Sequence, residues 1–299
     1  MPKFYFYTTY GLNIMSSMCF PELVSGKHNS NAMVYFIERE LRLKLSDKRK
    51  GFNEIVYTPN DILYSFDNKP LFRVRYGKEI LINSIANIDS LYLRHLILGP
   101  GMGTLLRQRG YLVLHASAVD IKGNGVAFLG DSGFGKSTLV TAMSKKGHKF
   151  ITDDVLRVKF DESNMPLALP SFPRAKLWDD IINHIKDQPN LVQKIHPEIE
   201  KYSFNIDTSF TTKPIPLKNI YILKNNDKNE INLLKSQDAL IELIKSSYAV
   251  NLFGDNGKAQ NLIQCANIVN NIPIKCLKKR QRLKELNDLI RIVEKDALK

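Results

Sequence analysis

Gly130-Asp131-Ser132-Gly133-Phe134-Gly135-Lys136-Ser137 fits the spacing G-x-x-x-x-G-K-[ST]. These residue types in this order suit one piece of chemistry. Glycines let the main chain curl around a phosphate with its N–H groups turned inward. A helix that starts at the end of the loop presents its positive end to the same anion. Lys136 can then reach the outer phosphates of a nucleotide, and the Ser137 hydroxyl can bind Mg²⁺. Thr138 completes the string. A second feature is Asp153-Asp154, preceded by Thr152. Paired carboxylates at a strand end can divide the work of phosphoryl transfer: one holds the metal, the other accepts the proton of an attacking hydroxyl. A third is His115. It reaches the same end of the sheet as the loop only if the strand register allows.

The elements that must position these groups are legible around them. Val126-Ala127-Phe128-Leu129 is a short apolar run, as expected of a strand buried on both faces. It follows the turn Gly123-Asn124-Gly125 and faces the stretch His115–Ile121 across it. After the glycine loop, Leu139, Val140 and Met143 predict a helix that ends at Gly147. Phe150-Ile151 leads to the two aspartates, and Val155–Phe160 resumes strand. Further upstream the chain is β-rich to about residue 85, beginning at Phe4-Tyr5-Phe6-Tyr7. A hairpin is expected from Ile62–Phe66 and Leu71–Tyr76, and Lys78–Ile85 continues it. A short helix is expected within residues 33–44. Residues 90–109 predict a helix broken at Gly99-Pro100-Gly101; Gly99-Pro100-Gly101-Met102-Gly103 fits no phosphate pattern. Downstream, Leu177–Ile185 and Gln237–Tyr248 are expected helices and Asn219–Leu223 a strand. Leu283, Leu286, Ile290, Val293 and Ala297 recur at helical spacing, so an amphipathic helix is expected over Lys278–Lys299. Its basic residues suit a solvated face.

Composition bounds the rest. The chain has 299 residues, 43% hydrophobic and 24% charged, which suits a globular protein. The length predicts two domains: a β-rich N-terminal lobe over 1–88 and a domain carrying the glycine loop over 89–299. No stretch approaches the ~20 apolar residues of a membrane-spanning helix, and Met1–Tyr10 suits a strand better than an export signal. Cys19, Cys265 and Cys276 are widely spaced and include no C-x-x-C pair, which argues against a disulfide framework or zinc site and for a reducing cytoplasm. The net charge of +13 suits a lysine-rich surface with a phosphate site. Nucleic acid is disfavoured as a partner, because no RNA-binding signature accompanies the charge. A membrane partner is not expected; homo-oligomerisation stays open.

His115-Ala116-Ser117-Ala118-Val119-Asp120, Gly125-Val126, the string Gly130–Thr138, Gly147-His148 and Asp153-Asp154, taken in order, resemble the catalytic segment of HPr kinase/phosphorylase. The resemblance covers about residues 111–160. It implies an α/β P-loop kinase core of that type, a mixed sheet flanked by helices, with ATP and Mg²⁺. It places Lys136 on the β- and γ-phosphates and Ser137 on the metal. It makes Asp153 the base toward an acceptor hydroxyl, Asp154 the metal-linked acid and His115 an aid near the transferred phosphate; the two aspartates could exchange roles. Softer strings (Leu105–Gly110, Tyr10-Gly11-Leu12, Pro21-Glu22-Leu23 and Pro173–Trp178) resemble a subgroup that includes kinases of the C-terminal serine of lasso-peptide precursors. No counterpart of the family's E-I-R-G-L-G-type string follows the aspartates. Arg174 and Lys176 are placed on a proline-bounded loop, solvated or in contact with phosphate or an acidic peptide. The function expected is an ATP-dependent serine kinase acting on a ribosomally made peptide or small protein. An HPr-type kinase/phosphorylase regulator and a non-catalytic ATP-sensing protein stay open beside it.

Overall fold

The computed structural model describes residues 3–27, 32–43, 50–179, 192–196, 199–206, 209–280 and 285–299. Two compact units divide the chain: Met1–Tyr111 with Tyr248–Lys258, and Leu112–Ser247 with Ala259–Lys299.

In the first unit, β1 (Tyr5–Thr9), β2 (Leu12–Ser16), β3 (Val24–Ser25), β4 (Val34–Arg39), β5 (Phe52–Thr58), β6 (Asp61–Phe66), β7 (Lys69–Arg75) and β8 (Glu79–Asn83) form one sheet, ordered β3-β1-β2-β4-β8-β7-β6-β5. The expected hairpin is β6–β7. Asp67 and Asn68, at φ 43° and 64°, supply the left-handed pair that a two-residue turn demands. The helix expected within 33–44 is instead β4, parallel to β2 and β8. Val34 and Phe36 are buried and Tyr35 between them is not, which is strand alternation; residue 44 lies outside the described residues. The predicted helix over 90–109 is α1 (Ser90–Leu96) and α2 (Met102–Gln108), joined by a wide helical turn, Ile97–Gly101, that accommodates Pro100. Both helices belong with the sheet. Tyr64 and Thr104 share a buried hydroxyl hydrogen bond of 2.6 Å, and the Gln108 side chain accepts from the Gly77 N–H at 2.8 Å. The boundary expected at 88/89 therefore falls inside this unit, and the division comes at Tyr111/Leu112.

The second unit contains β9 (Leu112–Leu114), β10 (Ala116–Ile121), β11 (Asn124–Leu129), α3 (Lys136–Lys145), β12 (Lys149–Thr152), β13 (Leu156–Phe160), β14 (Pro166–Leu169), β15 (Arg174–Trp178), β16 (Val192–His196), β17 (Ile199–Asn205), β18 (Ile215–Asn225), β19 (Glu230–Leu233) and α4 (Ser236–Lys245). It continues through α5 (Gly254–Asn271), whose first residues belong to the other unit, then β20 (Ile274–Lys279) and α6 (Leu286–Ala297). Its main sheet runs β12-β10-β11-β18-β14-β13-β9, with β20 also paired to β18 and β19 to β20. β11, β18 and β20 are parallel, and the other pairings are antiparallel. Alternation along β11 fills both faces. Val126 and Phe128 join Leu139, Val140 and Met143 of α3 and Leu289, Ile290 and Val293 of α6. Ala127 and Leu129 join Leu243 of α4 and Cys265 and Ile268 of α5. The unit is thus a mixed sheet flanked by helices, the architecture that the resemblance implies.

Two expectations fail downstream. Leu177 and Trp178 end β15, a strand paired to β17 and not a helix; residues 180–185 lie outside the described residues. Lys278 and Lys279 end β20, and the C-terminal helix starts at Leu286. The apolar spacing from Leu286 onward is correct, but the basic run before it pairs with β18 and β19; Leu283, Arg282 and Lys284 lie outside the described residues. The three cysteines form no disulfide, and among the described residues no helix is long and apolar enough to cross a membrane.

Candidate active site

The loop between β11 and α3 has the backbone its glycines were needed for. Gly133 and Gly135 adopt φ 88° and 84°, in the left-handed region. A side chain at Gly133 would meet nothing within 4 Å, so the loop is open on that side. Asp131, Ser132 and Gly133 are exposed at its rim, Phe134 packs onto the core beneath, and Thr138 is buried in the first turn of α3. The Lys136 ammonium donates to the carbonyls of Gly130 (2.7 Å) and Asp131 (3.1 Å), which hold it across the loop. Burial pulls its pKa down, and the neighbouring aspartates oppose that.

Register brings the other groups to the loop. β10 pairs with β11 so that Ala116 faces Leu129. His115 therefore stands at the level of Gly130, so the register brings it to the end of the sheet that carries the loop. β10 also pairs with β12, with Ala118 opposite Thr152, and the two aspartates follow at once. Asp153 is 6% exposed. Its Oδ1 accepts from Ser137 (2.8 Å) and Ser117 (2.6 Å), and its Oδ2 accepts from the Lys176 N–H (2.8 Å). Burial and the charge of Asp154 push its carboxyl up, while those three donors pull it back.

Asp154 faces a different neighbourhood. Its Oδ1 lies 2.8 Å from His115 Nε2, and its Oδ2 accepts from the Lys176 ammonium at 2.6 Å. Burial would raise this carboxyl, but Lys176 and His115 outweigh it and hold Asp154 well below the usual carboxylate range. Asp154 sits at φ 71°, an uncommon conformation for a residue other than glycine. The His115 side chain is 39% and that of Asp154 23% exposed, so this pair is the more open of the two.

The sequence reading missed three residues. Ser117 was inside the quoted string, and its place two residues after His115 was the available signal. Lys201 lies opposite Trp178 in the β15–β17 pair, with its ammonium 4.6 Å from the Trp178 ring centre. Burial, then Lys176, pulls its pKa down. Only the β15–β17 pairing, which joins segments distant in sequence, reveals it. Lys279 approaches Gly135 from β20; its run of basic residues was read as helix. One expectation is corrected: Lys176 lies in the strand β15, not in a loop, and its ammonium contacts Asp154. His148, one of the landmarks of the resemblance, bonds Glu294 of α6 at 2.7 Å and braces α3.

The donor set suits a magnesium nucleotide. Mg²⁺ is commonly held by one or two carboxylates together with substrate phosphates and waters. Ser137 and Asp153 provide a hydroxyl and a carboxylate in mutual contact at the foot of the open loop. Among the described residues no cluster of three or more His, Cys, Asp or Glu could hold an ion.

The HPr Serine kinase C-terminal domain family matches residues 109–169. HPr kinase/phosphorylase of Lachnoclostridium phytofermentans is 39% identical over 46 residues, 15% of each chain. That of Caldanaerobacter subterraneus subsp. tengcongensis is 34% identical over 64 residues, 21% of each chain. The chain thus spans about a fifth or less of the length of these relatives. The HPr(Ser) kinase/phosphatase of Coxiella burnetii aligns in structure over 62% of this chain and 96% of that one, at 14% identity and a TM-score of 0.34. The glycine loop, His115, Ser117, Asp153 and Asp154 all lie inside 109–169, and that segment is similar to the HPr Serine kinase C-terminal domain family.

Proposed function

We propose that this protein is an ATP-dependent kinase that phosphorylates a serine hydroxyl of a ribosomally made peptide or small protein. The observation that carries the reading is the hydrogen bond from Ser137 to Asp153, with the His115–Asp154–Lys176 cluster beside it. A phosphate loop, a metal-side carboxylate and a second, more open acid–base pair are what phosphoryl transfer to an alcohol requires. Bound Mg²⁺ would supply charge neutralisation at the phosphates, with Ser137 and Asp153 as its protein ligands. Gly130–Thr138 and Lys136 would hold the polyphosphate. Both Asp153 oxygens are already engaged by Ser137, Ser117 and the Lys176 N–H, so the geometry favours exchanging the roles first given to the aspartates. The open His115–Asp154 pair then receives the proton of the acceptor hydroxyl, and Lys176 balances its charge. Most of the acceleration would come from positioning and fixed charge.

A peptide acceptor is supported by β15 and β17. Trp178 and Lys201 lie opposite each other there, Lys201 is near enough to Asp154 to feel its charge, and Trp178 is 41% exposed. The flanking strings that resemble lasso-peptide kinases favour a precursor's C-terminal serine. The test is intact-mass measurement of such a peptide after incubation with MgATP. A gain of one phosphate that depends on Lys136 supports the proposal; ATP binding without transfer to any serine peptide or protein supports a sensor instead. The curated relatives are named kinase/phosphorylases. Transfer of the phosphoryl group from the phosphoserine product to inorganic phosphate, giving pyrophosphate and the free serine, would assign a phosphorylase activity here too.

A further inference from the structure

We propose that Lys279 is a second phosphate-binding lysine of this site, one that contacts the polyphosphate held by the 130–138 loop. The inference rests on the nucleotide-binding reading above. It starts from register. Leu129, the last residue of β11, lies beside Ile222 of β18, and Ile222 lies beside Cys276 of β20. The three strands are parallel, so their C-terminal ends point the same way. Lys279 is three residues past Cys276, about 10 Å further along at ~3.3 Å per residue, and so at the level of the loop that follows Leu129.

Alternation then sets the face. Lys275, Leu277 and Lys279 share one side of β20. Leu277 packs with residues of α3 and α6, and Lys275 bonds Asp296 of α6 at 2.6 Å. Lys279 therefore emerges on the side of the sheet where α3 begins. A side chain on Gly135 would stand 3.6 Å from its Nζ and 3.7 Å from its Cε. The ammonium thus lies against the residue that opens α3, where the positive helix end already favours an anion.

Its charge has no counterpart among the described residues. The neighbouring basic residues are matched: Lys275 with Asp296, Lys278 with Glu230, Arg280 with Glu285. Lys279 has no ion pair with a described residue, although it is half-buried. Burial alone lowers its pKa. A desolvated cation without a partner costs stability and is retained where a ligand supplies the opposite charge. Inorganic polyphosphate has that charge, as does a nucleoside triphosphate.

The experiment is titration calorimetry of the full chain with MgATP and, separately, with inorganic tripolyphosphate. Wild type is compared with Lys279→Met and Lys279→Arg, and thermal midpoints are recorded without ligand. A charge-assisted contact predicts a loss of roughly 10- to 100-fold in affinity for both ligands in Lys279→Met. It also predicts substantial recovery in Lys279→Arg and an unliganded midpoint of Lys279→Met no lower than wild type. Affinities within twofold of wild type overturn the proposal. So does a lowered unliganded midpoint with equal affinity losses in both variants, since that pattern belongs to a structural lysine. Wild type that binds tripolyphosphate through Lys279 but phosphorylates no serine overturns the kinase reading and leaves this assignment standing. Wild type that binds neither ligand overturns both.

Discussion

The two adjacent aspartates show how strongly surroundings divide identical side chains. Asp153 is buried among hydroxyl and N–H donors, while Asp154, one residue on, is held by two basic side chains. The division predicts different failures. Asp153→Asn removes the carboxylate beside Ser137, so MgATP affinity should fall and its dependence on Mg²⁺ should flatten. Asp154→Asn should bind MgATP nearly as wild type and lose about 10²–10⁴-fold in transfer rate, the usual worth of a proton acceptor. Calorimetry and phosphopeptide mass spectrometry separate the two. Lys136→Ala should abolish transfer, because no other described side chain spans the loop carbonyls as Lys136 does. The residue types at these positions were readable as a phosphate loop and an acid pair. Which acid faces the loop was not, because that depends on which donors the fold brings to each carboxylate.

Elements set where these residues point. α3 is held at its far end by His148 on Glu294, and α6 is tied to the sheet by Tyr221 and Lys275, both bonded to Asp296. Burial, reinforced by Asp296, pushes the Tyr221 hydroxyl well above its ordinary pKa. Tyr221→Phe removes one buried hydrogen bond and leaves Lys275 on Asp296. It should cost about 1 kcal/mol, seen as a lower urea midpoint with unchanged slope, and should leave MgATP affinity unaltered. Strands and helices with dense periodicity, such as β11, α3 and α6 from Leu286, were legible because local pattern and burial agree. The β20 strand was not. Its lysines imitate a solvated helix face, and only pairing with β18 and β19 makes them a strand.

At the scale of the whole molecule, the first unit extends past the β-rich stretch because its helices complete it. A fragment ending at residue 88 would lack Thr104, the buried partner of Tyr64, and Gly101, where an added side chain would stand 3.1 Å from the Phe72 ring. That fragment should lack a cooperative thermal transition by near-ultraviolet circular dichroism. The unit also makes stability depend on alkaline pH. Burial, the largest influence, pushes the Tyr7 hydroxyl from 10.0 up to about 12, with Cys19 and Tyr5 adding to it. Above pH 10 the unfolded chain releases a proton that the folded chain keeps. The contribution is therefore complete below pH 10 and is lost as pH rises through about 12. Urea midpoints should fall across that window, and less steeply in Tyr7→Phe.

The sequence by itself determined the glycine loop, the aspartate pair, the strand–loop–helix–strand order around them and the family resemblance. All of these live in short segments where neighbours in sequence are neighbours in space. The tertiary structure alone decided that Ser117 and Ser137 meet on Asp153, that Lys176 and Lys201 come to the acids from β15 and β17, and that Lys279 reaches Gly135 from a strand that follows it by more than a hundred residues in sequence. Those contacts depend on strand register, and register is settled by the packing of both faces of the sheet, which no local pattern records.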